Sequence, residues 1–165
     1  MITQQELESL LNYDPDTGTF IWIKSIKGTK GIFSEAGTIT SRGYRDVCIN
    51  GKKYGLHRLA FLYMTGDIPP TIDHINGIKD DNRWCNLRPS SVRENSFNYK
   101  GTGSKSKYKN VYYDSRGKKK WFVRITDSEG FKISLGYFET PEEANEVACV
   151  AREKHHGEFN WKSNA

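Results

Sequence analysis

Asp73 and His74 are neighbours in the chain, and Asn95 follows them after a polar stretch. An aspartate offers a hard anionic oxygen and an asparagine a neutral carbonyl oxygen. Together they suit a magnesium ion that keeps several waters and also binds a substrate phosphate oxygen. A histidine is the side chain whose ordinary pKa lies near neutrality. His74 could take a proton from a water aligned on a phosphodiester, while a bound metal stabilises charge on the phosphate oxygens and the leaving 3′-oxygen. A plainer reading also fits, in which the pair caps a loop or faces solvent. Residue types alone leave both open.

The elements that must position these groups follow from the segment TIDHINGIKDDNRWCNLRPSSVRENSFNYK, residues 71–100. Its spacing predicts a short strand ending at Asp73-His74, a polar loop, a second strand at Asn86-Leu87-Arg88, and a helix. Ser90 or Ser91 can cap that helix, which runs through Asn95 to about Asn98. Strand, loop, strand and helix would bring distant residues together. In the loop, Asn76, Asp80, Asp81 and Asn82 read as turn-forming residues. Upstream, Thr3 and Glu6 form a capping box for a short helix, and residues 14–18 form a turn. Strands are expected at 19–23, 36–40 and 44–49, with a hairpin turn at Asn50-Gly51. Residues 56–64 should form a helix ended by Gly66 and Pro69-Pro70. His57 on that helix reads as a satisfied structural histidine, or as a group that orients the site.

Residues 101–107 read as a flexible basic linker. Strands follow at 109–113, 121–126 and 132–137, then a helix with Thr140 as N-cap, Pro141 at its first position and Glu143 closing a capping box. Ala144, Val147, Ala148 and Ala151 give that helix a narrow apolar stripe. His155 and His156 lie at its C-terminus, where the dipole favours positive charge, and read as structural. The expected class is α+β: a small N-terminal antiparallel sheet with a strand-strand-helix core at about 70–98, then a three-stranded antiparallel sheet packed on one helix. The expected domains are 1–100 and 108–165.

Composition sharpens this. The chain has 165 residues, 36% of them hydrophobic, and a net charge of +5. Between Lys100 and Lys132 the lysines and arginines far outnumber the acids, and Tyr108, Tyr112, Tyr113, Trp121 and Phe122 interleave with them. Such a run is either a solvated linker or a folded polyanion-binding surface. Cys48, Cys85 and Cys149 form no C-x-x-C pair, which argues against a disulfide framework and a cysteine-held zinc, and they read as small buried apolar residues. No apolar run approaches the roughly 20 residues that cross a bilayer, and the N-terminus does not resemble a signal peptide. A cytoplasmic protein with no membrane partner is expected.

His57-Arg58-Leu59, Asp73-His74-Ile75-Asn76-Gly77, Asp81-Asn82-Arg83, Asn86-Leu87-Arg88 and Asn95 resemble the HNH nuclease family, in its phage and intron homing-endonuclease branch. The resemblance spans about residues 55–98. It implies a ββα-metal core in which Asp73 and Asn95 hold the metal and His74 is the general base. Asn86 would tie the loop together through side-chain-to-backbone hydrogen bonds. Magnesium is the implied cofactor, with manganese as a substitute and no zinc. Arg58, Arg83 and Arg88 are candidate phosphate contacts.

Val111, Lys120-Trp121, Ile125, Leu135-Gly136-Tyr137-Phe138, Thr140, Glu143-Ala144 and Gly157-Glu158-Phe159-Asn160 look like the DNA-binding domain of plant ethylene-response factors, the Apetala-two type. That resemblance implies a three-stranded sheet in the major groove with a helix behind it. The groove-facing positions would be Tyr112, Asp114, Arg116, Arg124, Thr126, Lys132 and Ser134, with Lys118, Lys119 and Lys120 supplying phosphate affinity. Trp121 reads as core. Taken together, the resemblances imply a phosphodiester hydrolase acting on double-stranded DNA as a free-standing phage homing endonuclease, located in the host cytoplasm if phage-encoded. The oligomeric state is left open, with a monomer favoured. The alternative is a DNA-binding regulator that has lost catalysis on the same fold.

Overall fold

Helix α1 (Gln4–Leu10) begins where the Thr3 side chain accepts from the Glu6 backbone and the Glu6 carboxylate accepts from the Thr3 backbone, a complete capping box. The helix stops at Leu11, which turns extended and opens β1 (Leu11–Asp14), a strand the sequence reading did not anticipate. β1 pairs antiparallel with β2 (Thr19–Trp22). The connecting turn is built by Asp14, whose Oδ1 accepts from the backbone of Asp16 and Thr17. β3 (Thr38–Ile39), β4 (Arg45–Ile49) and β5 (Lys52–Gly55) form a second antiparallel sheet in that order. The expected turn between β4 and β5 is present, with both Asn50 and Gly51 at positive φ.

Helix α2 (Leu56–Thr65) follows β5 directly and ends at Gly66, which adopts the left-handed conformation. It buries Leu56, Leu59, Ala60, Phe61 and Leu62 against Leu7, Leu11, Phe20 and Trp22. Ile72 and Leu87 belong to the same core. They lie on β6 (Thr71–His74) and β7 (Leu87–Ser90), an antiparallel pair in which Asp73 faces Arg88 and His74 faces Leu87. The candidate site therefore rests on the main core of this part of the chain. α3 (Val92–Phe97) comes next.

β8 (Val111–Tyr113), β9 (Trp121–Thr126) and β10 (Lys132–Phe138) form a sheet in the order β10-β9-β8, and α4 (Pro141–His156) covers one face. Val111, Val123, Ala144 and Ala148 make the core between sheet and helix, with Trp121, Leu135 and Phe138 packed around it. The small alanines let the helix backbone approach the strands. The Thr140 side chain accepts from the Glu143 backbone, but the reciprocal half of the expected capping box does not form, and Glu143 stays in solvent. The α+β class holds, with small antiparallel sheets and helices throughout.

The computed structural model describes residues 2–25, 31–98 and 105–160. It divides into two units, Met1–Ser91 and Val92–Ala165. Residues 101–104 of the expected linker lie outside the described residues. Among the described residues no helix is long and apolar enough to cross a membrane.

Two sequence-based expectations are corrected. Cys48 and Cys85 are exposed and Cys149 is half-buried rather than buried. Cys48 falls on the outward face of β4, between the inward Val47 and Ile49. His156 is buried among Phe97, Thr126, Lys109 and Arg152, and burial pushes its pKa down. Desolvation there overrides the helix dipole.

Candidate active site and nucleic-acid interface

β6 delivers Asp73 and His74 to its C-terminal end, where both side chains are buried. Opposite Asp73 in the register stands Arg88, whose Nε and Nη2 donate to Asp73 Oδ2 at 2.9 and 2.6 Å. With 11% and 3% side-chain exposure, this is a shielded, charge-assisted pair. The guanidinium thus fixes the carboxylate from the neighbouring strand.

The loop between β6 and β7 is tied by two asparagines. Asn86 Oδ1 accepts from the Asn76 backbone at 3.0 Å, and Asn86 Nδ2 donates to the Asp81 carbonyl at 2.8 Å. Asn76 Nδ2 donates to Asp81 Oδ2, and Asn76 Oδ1 accepts from the Ile78 backbone. Arg83 forks onto Asp81 at the surface, and this pairing holds the Asp81 carboxyl down at about 2. Asn82 is different. It is 2% exposed, and its Oδ1 lies 3.4 Å from His74 Nε2. The sequence marks it as a turn residue within the Asp81-Asn82-Arg83 motif, without pointing to the histidine. A buried amide inside a polar loop carries no distinguishing pattern, and only the fold reveals it.

Rings from two other elements complete the surroundings of His74. His57 of α2 and Tyr44, just before β4, have their centroids 5.4 and 6.0 Å from the His74 ring. Lys79 Nζ lies over Tyr44. Burial pushes the His74 pKa below its ordinary value, against the raising influence of Asn82, Asp73, Asp81 and Asp80. His57 is not satisfied, contrary to the structural reading. Its Nδ1 is buried without a hydrogen-bond partner, and burial with the neighbouring His74 and Arg58 charges lowers its pKa to about 4. Gly55 admits this ring, since a Cβ there would stand 2.7 Å from His57 Cε1. Arg58 donates to the Pro70 carbonyl at 3.4 Å.

Asn95 sits half-buried on α3 and is described with the second unit. Within that unit Phe97 stacks on His156, with centroids 3.9 Å apart and planes 4° apart. Arg93 Nη1 donates to the Ser128 carbonyl, and Lys109 Nζ donates to the Phe97 carbonyl. Among the described residues no group of three or more His, Cys, Asp or Glu side chains is placed to hold a metal ion.

The second unit presents a separate candidate surface. Val111, Val123 and Ile125 point inward, so Tyr112, Arg124 and Thr126 stand on the opposite face of the sheet. The register sets Lys132 beside Thr126 and Ser134 beside Arg124, so five expected DNA-facing residues share one face. A bulge between Ser134 and Gly136 shifts the register by one residue. It keeps Leu135 inward yet places Tyr137 beside Phe122 on the outer face. Tyr112, Phe122 and Tyr137 then form a row, with neighbouring centroids 5.2 and 5.5 Å apart, and the Arg124 guanidinium lies over the first two rings. In the sequence Phe122 figures among the aromatics interleaved with the basic run and Tyr137 within the Leu135-Gly136-Tyr137-Phe138 match, but neither among the groove-facing positions. A bulge that resets the alternation of β10 leaves little trace in residue types. Arg116 forks onto Asp114, which holds that carboxyl at about 2, and Lys118 and Lys119 are exposed.

Residues 54–97 match the family model described as HNH endonuclease. The match covers α2, the β6–β7 pair with its loop, and α3. It supports nuclease activity and is consistent with a ββα-metal fold. No curated protein and no solved structure matches the chain.

Proposed function

We propose that the chain is a DNA endonuclease that hydrolyses phosphodiester bonds with His74 as general base. The observation that carries this reading is a buried Asp73-His74 pair at a strand end, the carboxylate gripped by Arg88, inside the segment similar to HNH endonucleases. Burial lowers the His74 pKa and so favours the neutral ring, the form that can accept a proton. A water oxygen would attack phosphorus, the proton would pass to His74, and the 3′-oxygen would leave as an alkoxide that takes up a proton from solvent. The products are 5′-phosphate and 3′-hydroxyl ends.

Asp73 and Asn95 are the proposed ligands of a divalent metal, magnesium with manganese as substitute. A carboxylate and an amide are oxygen donors without sulfur, the set that suits an ion retaining several waters. Such an ion, when bound, would stabilise negative charge on the phosphate oxygens. Arg88 orients the Asp73 carboxylate, and Asn86 holds the loop closed.

The second unit is proposed as the reader of double-stranded DNA, akin to the Apetala-two type. Its contacts would come from Tyr112, Arg116, Arg124, Thr126, Lys132 and Ser134, with Lys118 and Lys119 on phosphates. Of the proposed phosphate-contacting arginines in the first unit, Arg58 is partly exposed and Arg83 is exposed although paired with Asp81, whereas Arg88 is shielded and paired with Asp73. A free-standing phage homing endonuclease is the biological setting proposed.

The test is supercoiled plasmid incubated with magnesium, alongside His74→Ala and a chelator control. Wild type should nick or linearise the plasmid. His74→Ala should retain binding in a gel shift while losing at least about a hundredfold in rate. Equal and complete survival of the plasmid with both proteins, with binding intact, would sink the nuclease reading and favour a DNA-binding regulator.

A further inference from the structure

We infer that Asn82 is the positioning residue for His74, fixing which ring nitrogen carries the proton. The inference rests on the reading of His74 as general base and adds a residue that this reading left among the loop-formers. Asn82 Oδ1 is 3.4 Å from His74 Nε2 in a buried setting. Its amide cannot be reversed without loss, because Nδ2 already donates to the Asp80 carbonyl at 3.2 Å. The oxygen therefore faces the ring, and an oxygen acceptor calls for a proton on Nε2. In a neutral imidazole the basic lone pair then lies on Nδ1. Water would lose its proton to Nδ1, and the Nε2–H···Oδ1 contact would shorten as the ring gains charge.

The backbone around Asn82 is immobilised in a way an ordinary turn residue does not need. Tyr13 Oη donates to the Asn82 carbonyl at 2.7 Å. The Trp84 backbone donates to the Pro15 carbonyl at 2.9 Å. Gly18, at φ +75, lies so close that a Cβ there would stand 2.5 Å from the Asn82 carbonyl carbon and 2.4 Å from the Arg83 nitrogen. The β1–β2 hairpin thus holds the backbone from which the amide reaches His74.

Two measurements test this on the full chain. In long-range nitrogen–proton NMR at neutral pH, His74, assigned by its loss in His74→Ala, should show the Nε2–H tautomer in wild type. Asn82→Leu, similar in volume but without an acceptor, should lose that preference. In single-turnover cleavage Asn82→Leu should lose roughly 10–100-fold in kcat with little change in KM. Asn82→Asp, which keeps an acceptor oxygen, should recover most of the rate when assayed above the histidine range. An Nδ1–H tautomer in wild type would overturn the inference even if Asn82→Leu failed to fold. So would a folded Asn82→Leu that cleaves as fast as wild type while His74→Ala is inactive. If His74→Ala itself cleaved normally, the general-base reading would fail instead, which is a separate result.

Discussion

His57 shows how one unsatisfied atom sets a property of the folded state. Its Nδ1 is buried without a partner, so protonating the ring in the folded chain is costly and the pKa falls to about 4 from an ordinary 6.5. Between those values the unfolded chain takes up a proton that the folded chain refuses. Stability is therefore full above about pH 6.5, declines as pH falls through the window, and levels off below about 4. The full shift corresponds to about 3 kcal/mol, an upper figure because the ring is partly exposed. His74 and His156 are depressed in the same direction and add to the slope. Urea midpoints measured across this range should fall with acid in wild type and fall less in His57→Gln. An unchanged acid slope in that variant would remove His57 from the account. At this scale the sequence was legible where a motif marks a strand end, as at Asp73 and His74. It was opaque where a role depends on burial. Neither the orphaned nitrogen of His57 nor the Asn82 contact can be read from residue type, and Arg88 becomes a partner of Asp73 only once the hairpin register is known.

Among the elements, the β1–β2 hairpin matters more than its four-residue strands suggest. Two glycines allow a controlled comparison. Gly18 and Gly51 have nearly equal φ, +75 and +79, but a Cβ at 51 meets nothing within 4 Å while one at 18 meets the backbone of Asn82 and Arg83. Gly51→Ala should cost only the left-handed strain, about 1–2 kcal/mol. Gly18→Ala should cost at least about 2 kcal/mol more, because backbone must move, and its cleavage rate should drop as well. Equal losses in denaturant titrations would show that the close approach carries no energy. Element positions were largely visible in advance: α2, β9 and α4 follow from apolar periodicity and caps. What was missed has local causes. β1 reads as the tail of a helix because Leu10 and Leu11 continue the apolar run of α1, and only pairing with β2 makes Leu11–Asp14 extended. The β10 bulge hides behind a sequence that alternates acceptably in either register.

For the molecule as a whole, the placement of α3 is the point of interest. The sequence suggests that the helix carrying Asn95 belongs with the preceding strands and that the chain divides near residue 100. The packing described here groups Val92–Phe97 with the residues that follow. Phe97→Ala in the full chain removes the ring stacked on His156 and should destabilise the second unit by about 3 kcal/mol. Hydrogen exchange would report this as faster exchange in α4 and β9, with α2 unchanged. Faster exchange in α2 and not in α4 would return the helix to the first unit. The sequence could not decide this, because α3 is short and its single buried apolar anchor, Phe97, has no periodic partner. The hairpin that presses on Asn82 has a consequence of its own. A protein engineer who transplanted only residues 71–90 to another scaffold would carry the Asp-His pair and its arginine but leave behind the wall supplied by Tyr13, Pro15 and Gly18. The smallest portable unit that keeps the proposed site as it is held here therefore includes residues that lie more than fifty positions away from Asp73 and His74 in sequence, and any graft must move both pieces together.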